Sequence, residues 1–319
     1  MTAVYKRELR TCFGSLHTWL FIAGCLAAAG AFFDYHNLLL GSTDVCSALC
    51  MPMYLPISFG KGYLYVPQLT FWLTLLFPVA GAFSMAPDRQ DGTDLFLRAL
   101  PVKAGAVAGG KYLALLTVYA VPTAVLCLIP LLFSAFGDVD MASAYAGIFL
   151  IFLLGAAALA VCLFISSLTK KVLWAYLIGV GALWLLYLPM TLQWPGVMTS
   201  KVCLTVLEWF FSVPLASCLS LMVCALLIGL IVWALTRSLP AGAVTAAVLT
   251  VVCMVLFLAA PGFMTGLVPN MMIMSSPFAQ VETMVSYSEL TVSGIAALLS
   301  YVCFFLFLTV RSVDSRRFL

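Results

Sequence analysis

The sequence predicts an all-α polytopic membrane protein with about eight transmembrane helices, an N-terminal interfacial helix and one short cytoplasmic helix. Hydrophobic residues make up 64% of the 319 residues and charged residues only 8%, whereas soluble proteins average about 25% charged residues. Charge-free apolar runs recur at the length of about 20 residues that a helix needs to cross a bilayer. This composition excludes a soluble domain, and residues 1–319 are predicted to form a single membrane domain.

The apolar runs define eight predicted spans. They cover residues 16–36, 64–86, 109–134, 141–168, 172–192, 213–236, 240–260 and 289–310. The sixth run begins near Val202 but is interrupted by Glu208 and Pro214. For residues 202–212 the alternative to a membrane span is an interfacial helix on the outer face, with Trp209 at the level of the headgroups.

The basic residues orient these spans, because cytoplasmic loops collect Lys and Arg. With the N-terminus inside, 13 of the 15 basic residues lie on the cytoplasmic side, and only Lys61 and Lys201 lie outside. The inside set is Lys6, Arg7, Arg10, Arg89, Arg98, Lys103, Lys111, Lys170, Lys171, Arg237, Arg311, Arg316 and Arg317. Both termini are thus predicted to be cytoplasmic, and the net charge of +3 needs no nucleic-acid partner.

The first 15 residues are amphipathic at the helical period. Apolar side chains share one face, and the cations Lys6, Arg7 and Arg10 share the other. The apolar set is Tyr5, Leu9, Cys12, Phe13 and Leu16. Such a segment is predicted to lie along the cytoplasmic interface, where it acts either as an anchor that sets topology or as a mechanical element.

The cytoplasmic segment 87–104 contains a predicted short helix at 94–100. Gly92 breaks what precedes it, Thr93 or Asp91 can cap it, and Asp94 lies in the first turn, where the helix dipole favours an acid. Pro101 marks its end. The helix would present Leu95, Phe96, Leu97 and Leu100 to lipid or to a partner, and a plain surface loop is the alternative.

The stretch from Gly105 to Tyr112, GAVAGGKY, comes within one residue of a phosphate-binding loop. That motif ends in Lys followed by Ser or Thr, whose hydroxyl binds Mg²⁺. Tyr112 occupies this last position, and no strand is predicted before the motif. The stretch is instead interpreted as the start of a membrane helix, with Lys111 as its anchor at the interface.

Other kinds of chemistry have little support in the sequence. His17 and His36 are the only histidines, and most of the 11 cysteines stand singly in spans, so no zinc-ligand pattern exists. Cys46 and Cys50 share an outer loop, where a disulfide between them is possible. No span carries an acidic or basic residue that is clearly at mid-depth, which argues against an ion-coupled carrier. The energy for any transport is therefore expected to come from elsewhere.

Several segments resemble the type-2 ATP-binding-cassette (ABC) exporter permeases, and in particular their gliding-motility-associated branch. DGTDLFLRALPVKAGAVAGGKYLALL resembles the cytoplasmic helix and following span of that family, and LFISSLTKK resembles the end of its fourth span. VYKRELRTCFGSLHTWLFI is similar to the N-terminal interfacial helix of the branch. SSPFAQVETMVSYSEL is similar to the segment before the last span of the branch, and FFLFLTVRSVDSRRF is similar to its C-terminus.

The resemblance implies a permease subunit for export in a bacterial plasma (inner) membrane, with ATP and Mg²⁺ held by a separate cassette ATPase and no cofactor in this chain. A second permease copy or paralogue would complete a dimer in contact with membrane lipid. Segment 87–104 would be the coupling segment, with helix 94–100 as the coupling helix that contacts the ATPase. The implied contact residues are Asp88, Arg89, Asp91, Gly92, Thr93, Asp94, Phe96 and Arg98. Phe96 would be the hydrophobic anchor of this contact and Arg89 a weaker charge at its rim.

The chain also departs from the family pattern. Pro87 and Asp88 replace a paired acidic start, and Asp94 replaces the usual Glu. Six spans are typical of the family, so residues 202–260 are predicted to be an inserted hairpin of two more. Two other functions stay open at this point: a membrane anchor or scaffold of a larger machine, and a stand-alone secondary carrier.

Overall fold

A computed structural model describes residues 2–34, 65–93, 103–135, 141–193, 225, 228–229, 232, 238–259, 275–286 and 290–315. The described residues contain no strand and include nine helices with defined bounds, and residues 225, 228–229 and 232 are also helical. The helices are α1 (Thr2–Phe13), α2 (Leu16–Asp34), α3 (Tyr65–Gln90), α4 (Ala104–Phe133), α5 (Met141–Leu168), α6 (Val172–Gln193), α7 (Leu239–Ala259), α8 (Pro277–Ser286) and α9 (Val292–Asp314). The prediction of an all-α fold is confirmed for the described residues.

Three of these helices are long and apolar enough to cross a membrane, namely Ala104–Leu131, Tyr145–Leu168 and Val292–Asp314. Thr2–Phe13 and Leu16–Gly30 pass the same test together, but they are bent by 74° relative to each other, so the described residues hold three or four such spans. The structure is compatible with an all-α membrane protein. Eight spans stay a prediction, and so does the assignment of the termini to the cytoplasm.

The predicted spans agree with the helices where both are described. Span 141–168 has the bounds of α5, span 172–192 ends one residue before α6, and span 240–260 is shifted by one residue from α7. The bounds of α3, α4 and α9 differ from the predicted spans by up to five residues at an end. The predicted span 213–236 and the predicted interfacial helix 202–212 lie largely or wholly outside the described residues, as do Cys46 and Cys50. Within the predicted hairpin, Gly229 packs closely on Ala246 of α7.

Helix α5 lies at the centre of the bundle, where α3, α4, α6, α8 and α9 pack around it. In its most apolar 18-residue stretch, 89% of the residues are buried inside the protein, against 39% for α4 and 22% for α9. A helix that is apolar on every side needs burial in protein or in lipid. Protein covers α5, whereas α4 and α9 keep apolar faces of the kind that lipid covers.

Small residues let α3 approach α5 closely. A Cβ at Gly81 of α3 would lie 2.3 Å from the Cβ of Cys162 on α5, so no larger residue fits there without movement. One turn further along α5, the Ser166 hydroxyl accepts hydrogen bonds from the backbone N–H groups of Met85 and Ala86, at 3.1 and 3.0 Å. These contacts position the last two turns of α3, which lead into the predicted coupling helix.

Candidate functional site at the end of helix α3

Helix α3 ends in a tight cap just before the predicted coupling helix. The Asp91 N–H donates to the Pro87 carbonyl at 2.9 Å, and Gly92 has a left-handed backbone with φ of 73°. Glycine adopts this conformation without the steric penalty of a side chain, which is why it often follows the last turn of a helix. The prediction that Gly92 ends the preceding element is confirmed.

Thr93 closes the same turn. Its hydroxyl donates to the Asp88 carbonyl at 3.1 Å, which satisfies one of the carbonyls left free at a helix end. Thr93 was predicted to cap the start of the next helix, and the structure shows it bound to the end of the previous one. Helix α3 continues to Gln90 and so includes the first residues of the predicted coupling segment 87–104.

A buried ion network joins three helices beside this cap. The Lys111 ammonium of α4 donates to the Glu8 carboxylate of α1 at 2.9 Å, to the Asp88 carboxylate of α3 at 2.6 Å, and to the Ser84 carbonyl at 2.7 Å. All three donors of the ammonium are therefore used. We call Glu8, Lys111 and Asp88 the lysine bridge.

The lysine bridge corrects the interpretation of Lys111 as an interfacial anchor. The Lys111 side chain is only 3% exposed, and those of Glu8 and Asp88 are 11% and 24% exposed. An anchor at the interface would extend its ammonium into the headgroup region. A buried ammonium instead needs paired charges and hydrogen bonds to replace its hydration shell, and the two carboxylates and the Ser84 carbonyl supply them.

Helix α1 packs along the start of α4. The Tyr5 and Thr117 hydroxyls are hydrogen bonded at 3.0 Å, and Gly110 lets Val4 approach so closely that a Cβ there would be 3.0 Å from the valine. Lys6, Arg7 and Arg10 are exposed on the opposite side of α1. The predicted helix is confirmed, with Tyr5, Leu9, Cys12 and Phe13 partly buried, but Leu16, predicted on the same face, begins α2 and is 72% exposed. The location of α1 at a membrane interface stays a prediction.

Arg89 binds the end of the central helix. Its guanidinium donates to the backbone carbonyls of Ser167 and of Thr169, the latter at 2.8 Å. Positive side chains stabilise helix C-termini through such bonds and through the helix dipole. Arg89 was predicted to be a rim charge facing the partner, but in this structure it ties the end of α3 to the end of α5.

A cavity of about 380 Å³ opens beside the lysine bridge between α1, α2, α3 and α4. Glu8, Lys111 and Asp88 line it together with Cys12 and His17, and the His17 ring stacks on Phe83 with centroids 3.6 Å apart. Burial and the Glu8 carboxylate raise the pKa of the Cys12 thiol above its ordinary value, while Lys111 lowers it. Among the described residues, no group of three His, Cys, Asp or Glu side chains could hold a metal ion.

The stretch from Gly105 to Tyr112 forms the first two turns of α4 rather than a loop. Its backbone N–H groups from residue 108 onward therefore have partners within the helix, whereas a phosphate-binding loop leaves such groups free for the ligand. The Tyr112 phenol donates to the Ala156 carbonyl of α5 at 3.0 Å. In this structure the near-match to the phosphate motif serves helix packing and the lysine bridge.

The predicted contact residues divide into three groups. Asp88 and Arg89 bind other helices of the same chain, whereas Asp91 is exposed at the end of α3 beside Gly92 and Thr93. The remaining three predicted residues, Asp94, Phe96 and Arg98, lie outside the described residues. Their contact with a partner stays a prediction.

Sequence reasoning missed Glu8 and Ser166. Glu8 lies on the helical face that Tyr5 and Cys12 define, because three or four residues separate it from each. A lone acid on an otherwise apolar face was the signal for a buried partner. Ser166 carried no comparable signal, because a serine in an apolar helix more often bonds its own backbone.

Comparison with known protein families, with curated proteins and with solved structures finds no match to this chain. The functional conclusion therefore depends on the sequence motifs and on the geometry at the end of α3.

Proposed function

We propose that this chain is the transmembrane permease subunit of an ABC transporter, of the exporter type, driven by ATP hydrolysis in a separate cassette subunit. The observation that carries the proposal is the way in which the end of α3 is held. Within four residues of Gly92, Asp88 binds Lys111 of α4 and Arg89 binds the end of α5. The segment that resembles a coupling helix follows immediately.

A permease needs a stiff connection between the surface that the ATPase moves and the helices that move with it. The end of α3 supports such a role because charged groups join it to α1, α4 and α5. A push on residues 94–100 would pass through the Gly92 cap into α3, which packs along α2, α5 and α6. A flexible loop would absorb the same displacement.

In this proposal the ATPase contact is narrower than the sequence alone suggested. Asp88 and Arg89 fix the base of the contact, because their side chains are used within the chain. Asp91, which is exposed, and residues 94–100 would face the ATPase, with Phe96 as the apolar anchor. ATP and Mg²⁺ would bind in the ATPase, and a second permease copy or paralogue would complete the transporter.

The test is to purify the tagged full-length chain from its native membrane and to identify bound proteins by mass spectrometry. We expect a cassette ATPase to copurify and its turnover to change when the chain is reconstituted with it. Phe96→Ala should reduce the bound ATPase at least tenfold, since burying such a side chain contributes on the order of 1.5–3 kcal/mol. Asp91→Ala is the matched control and should reduce it less than about fivefold, because exposed ion pairs contribute about 0–1 kcal/mol.

The outcomes separate the competing functions. Copurification of a large assembly without a cassette ATPase would favour the scaffold function, and solute transport by the chain alone would favour a stand-alone carrier. An equal loss of ATPase in Phe96→Ala and Asp91→Ala would refute the apolar anchor.

A further inference from the structure

We propose that the lysine bridge makes the N-terminal helix a working part of the coupling device, with Lys111 as the positioning residue that links α1 to the end of α3. The proposal rests on the proposed permease function and adds to it a mechanical role for α1. The sequence left open whether α1 only sets topology or also moves with the coupling segment. The bonding of Lys111 favours the second possibility.

The first step is that one cation serves two helices at once. The Lys111 ammonium binds Glu8 of α1 and Asp88 of α3 within 2.9 Å, and these carboxylates come from residues 80 positions apart in the chain. Asp88 lies in the last turn of α3, four residues before Gly92. Any displacement of this turn therefore changes the geometry around the ammonium that also holds Glu8.

The second step is that Glu8 cannot easily leave the ammonium. Its side chain is 11% exposed, so separation from Lys111 would leave a poorly hydrated carboxylate. The buried pair is expected to move as a unit, because breaking it costs more than shifting a short helix. Helix α1 should follow Lys111 and, through Lys111, the end of α3.

The third step is that α1 is a helix distinct from α2, joined to it by a sharp bend that the Trp19 indole N–H spans with a 3.0 Å hydrogen bond to the Phe13 carbonyl. Residues 14 and 15 separate it from α2, and the two helices are bent by 74° at this break. Its outer face carries the exposed cations Lys6, Arg7 and Arg10, and its inner face contacts α4 through Val4, Tyr5 and Glu8. If the angle at this bend changes, the ion pair between Glu8 and Lys111 would make α1 follow a displacement of the end of α3.

The chain alone provides the first test, through trypsin cleavage after the three exposed cations of α1 in the detergent-solubilised full-length protein. Lys111→Met should raise the cleavage rate at least fivefold, because α1 loses its charged joint. Lys103→Met is the matched control, since Lys103 is an exposed lysine just before α4, the helix that carries Lys111. This variant should change the cleavage rate less than twofold. An unchanged rate in Lys111→Met would overturn the proposal.

A milder variant covers the case in which Lys111→Met fails to fold. Glu8→Gln preserves the size of the side chain and leaves Lys111 paired with Asp88, so the bundle should survive. We expect a two- to threefold rise in cleavage with an unchanged elution volume in gel filtration. A rate equal to that of the wild type in this variant would also overturn the proposal.

The second test uses the chain together with its cassette ATPase. Reconstitution with the wild-type chain is expected to change the turnover of the ATPase. Glu8→Gln should make this change at least threefold smaller, while the amount of bound ATPase stays at the wild-type level. Lys6→Gln, an exposed position on the same helix, should leave both unchanged. If Glu8→Gln loosens α1 but leaves turnover intact, the joint is structural and the coupling role is wrong. If the wild-type chain binds no cassette ATPase, the proposed function fails and the coupling role fails with it, while the cleavage rates still decide whether the bridge holds α1.

Discussion

Replacement of Gly81 by alanine tests whether close contact between α3 and α5 stabilises the bundle. The added Cβ would lie 2.3 Å from the Cβ of Cys162 and 3.1 and 3.2 Å from its backbone carbon atoms. Two of these three atoms belong to the backbone, so a change of rotamer cannot relieve the contact. The helices must separate locally, and the hydrogen bonds from Met85 and Ala86 to Ser166 lie one turn away in the same contact.

The expected cost follows from two opposing terms. Overpacking a well-packed interior costs about 1–3 kcal/mol, and we expect the upper half of that range because the backbone is involved. Replacement of glycine by alanine inside a helix recovers about 1 kcal/mol. The free energy of unfolding of Gly81→Ala should therefore fall by about 1–2 kcal/mol.

The assay is reversible unfolding in mixed micelles, followed by tryptophan fluorescence. Gly181→Ala on α6 is the control, because a Cβ at Gly181 meets no atom within 4 Å. The control should be as stable as the wild type or more stable by up to about 1 kcal/mol. If Gly81→Ala is as stable as Gly181→Ala, the packing of α3 on α5 is not as close as described.

Two further predictions concern charges near the candidate site. Arg89→Ala should lower the free energy of unfolding by about 1.5–3 kcal/mol, since it removes charged hydrogen bonds to the end of α5. Arg10→Ala, at an exposed position, should change the free energy of unfolding by less than about 0.5 kcal/mol. Equal effects of the two variants would contradict the role of Arg89 as a cap on α5. Glu8→Gln should lower the pKa of the Cys12 thiol, because the Glu8 carboxylate is one of the groups that raise it. The rate of Cys12 alkylation should then rise at lower pH in the variant than in the wild type, as measured by mass spectrometry of the labelled peptide, and an identical pH profile would show that Glu8 does not act on the thiol.

Local sequence patterns were sufficient to predict eight of the nine bounded helices, but not α8. Apolar runs of about 20 residues placed α5 at its observed bounds, and the amphipathic pattern of the first 15 residues predicted α1. Gly92 was assigned to a break because few other residues tolerate a positive φ. Each of these predictions depends on neighbours within a few positions, so the sequence contains all the information that they need.

The roles of the charged residues depended on partners far away in the chain. Lys111 looked like an interfacial anchor, because a lone lysine at the start of an apolar helix usually is one. Its partners Glu8 and Asp88 lie 103 and 23 positions away, and only the packing of α1 and α3 on α4 brings them together. Arg89 looked like a rim charge for the same reason, since its acceptors on α5 are 78 and 80 residues distant.

Local patterns in the sequence therefore predicted the helical class, the bounds of α5, α6 and α7 to within one residue, and the break at Gly92. Which charges are buried, which carbonyls Arg89 binds and how close α3 comes to α5 all depend on the tertiary packing of the helices. The physical reason is that helix formation and apolar patterning act over single turns, whereas the cost of burying a charge depends on which distant groups replace its water.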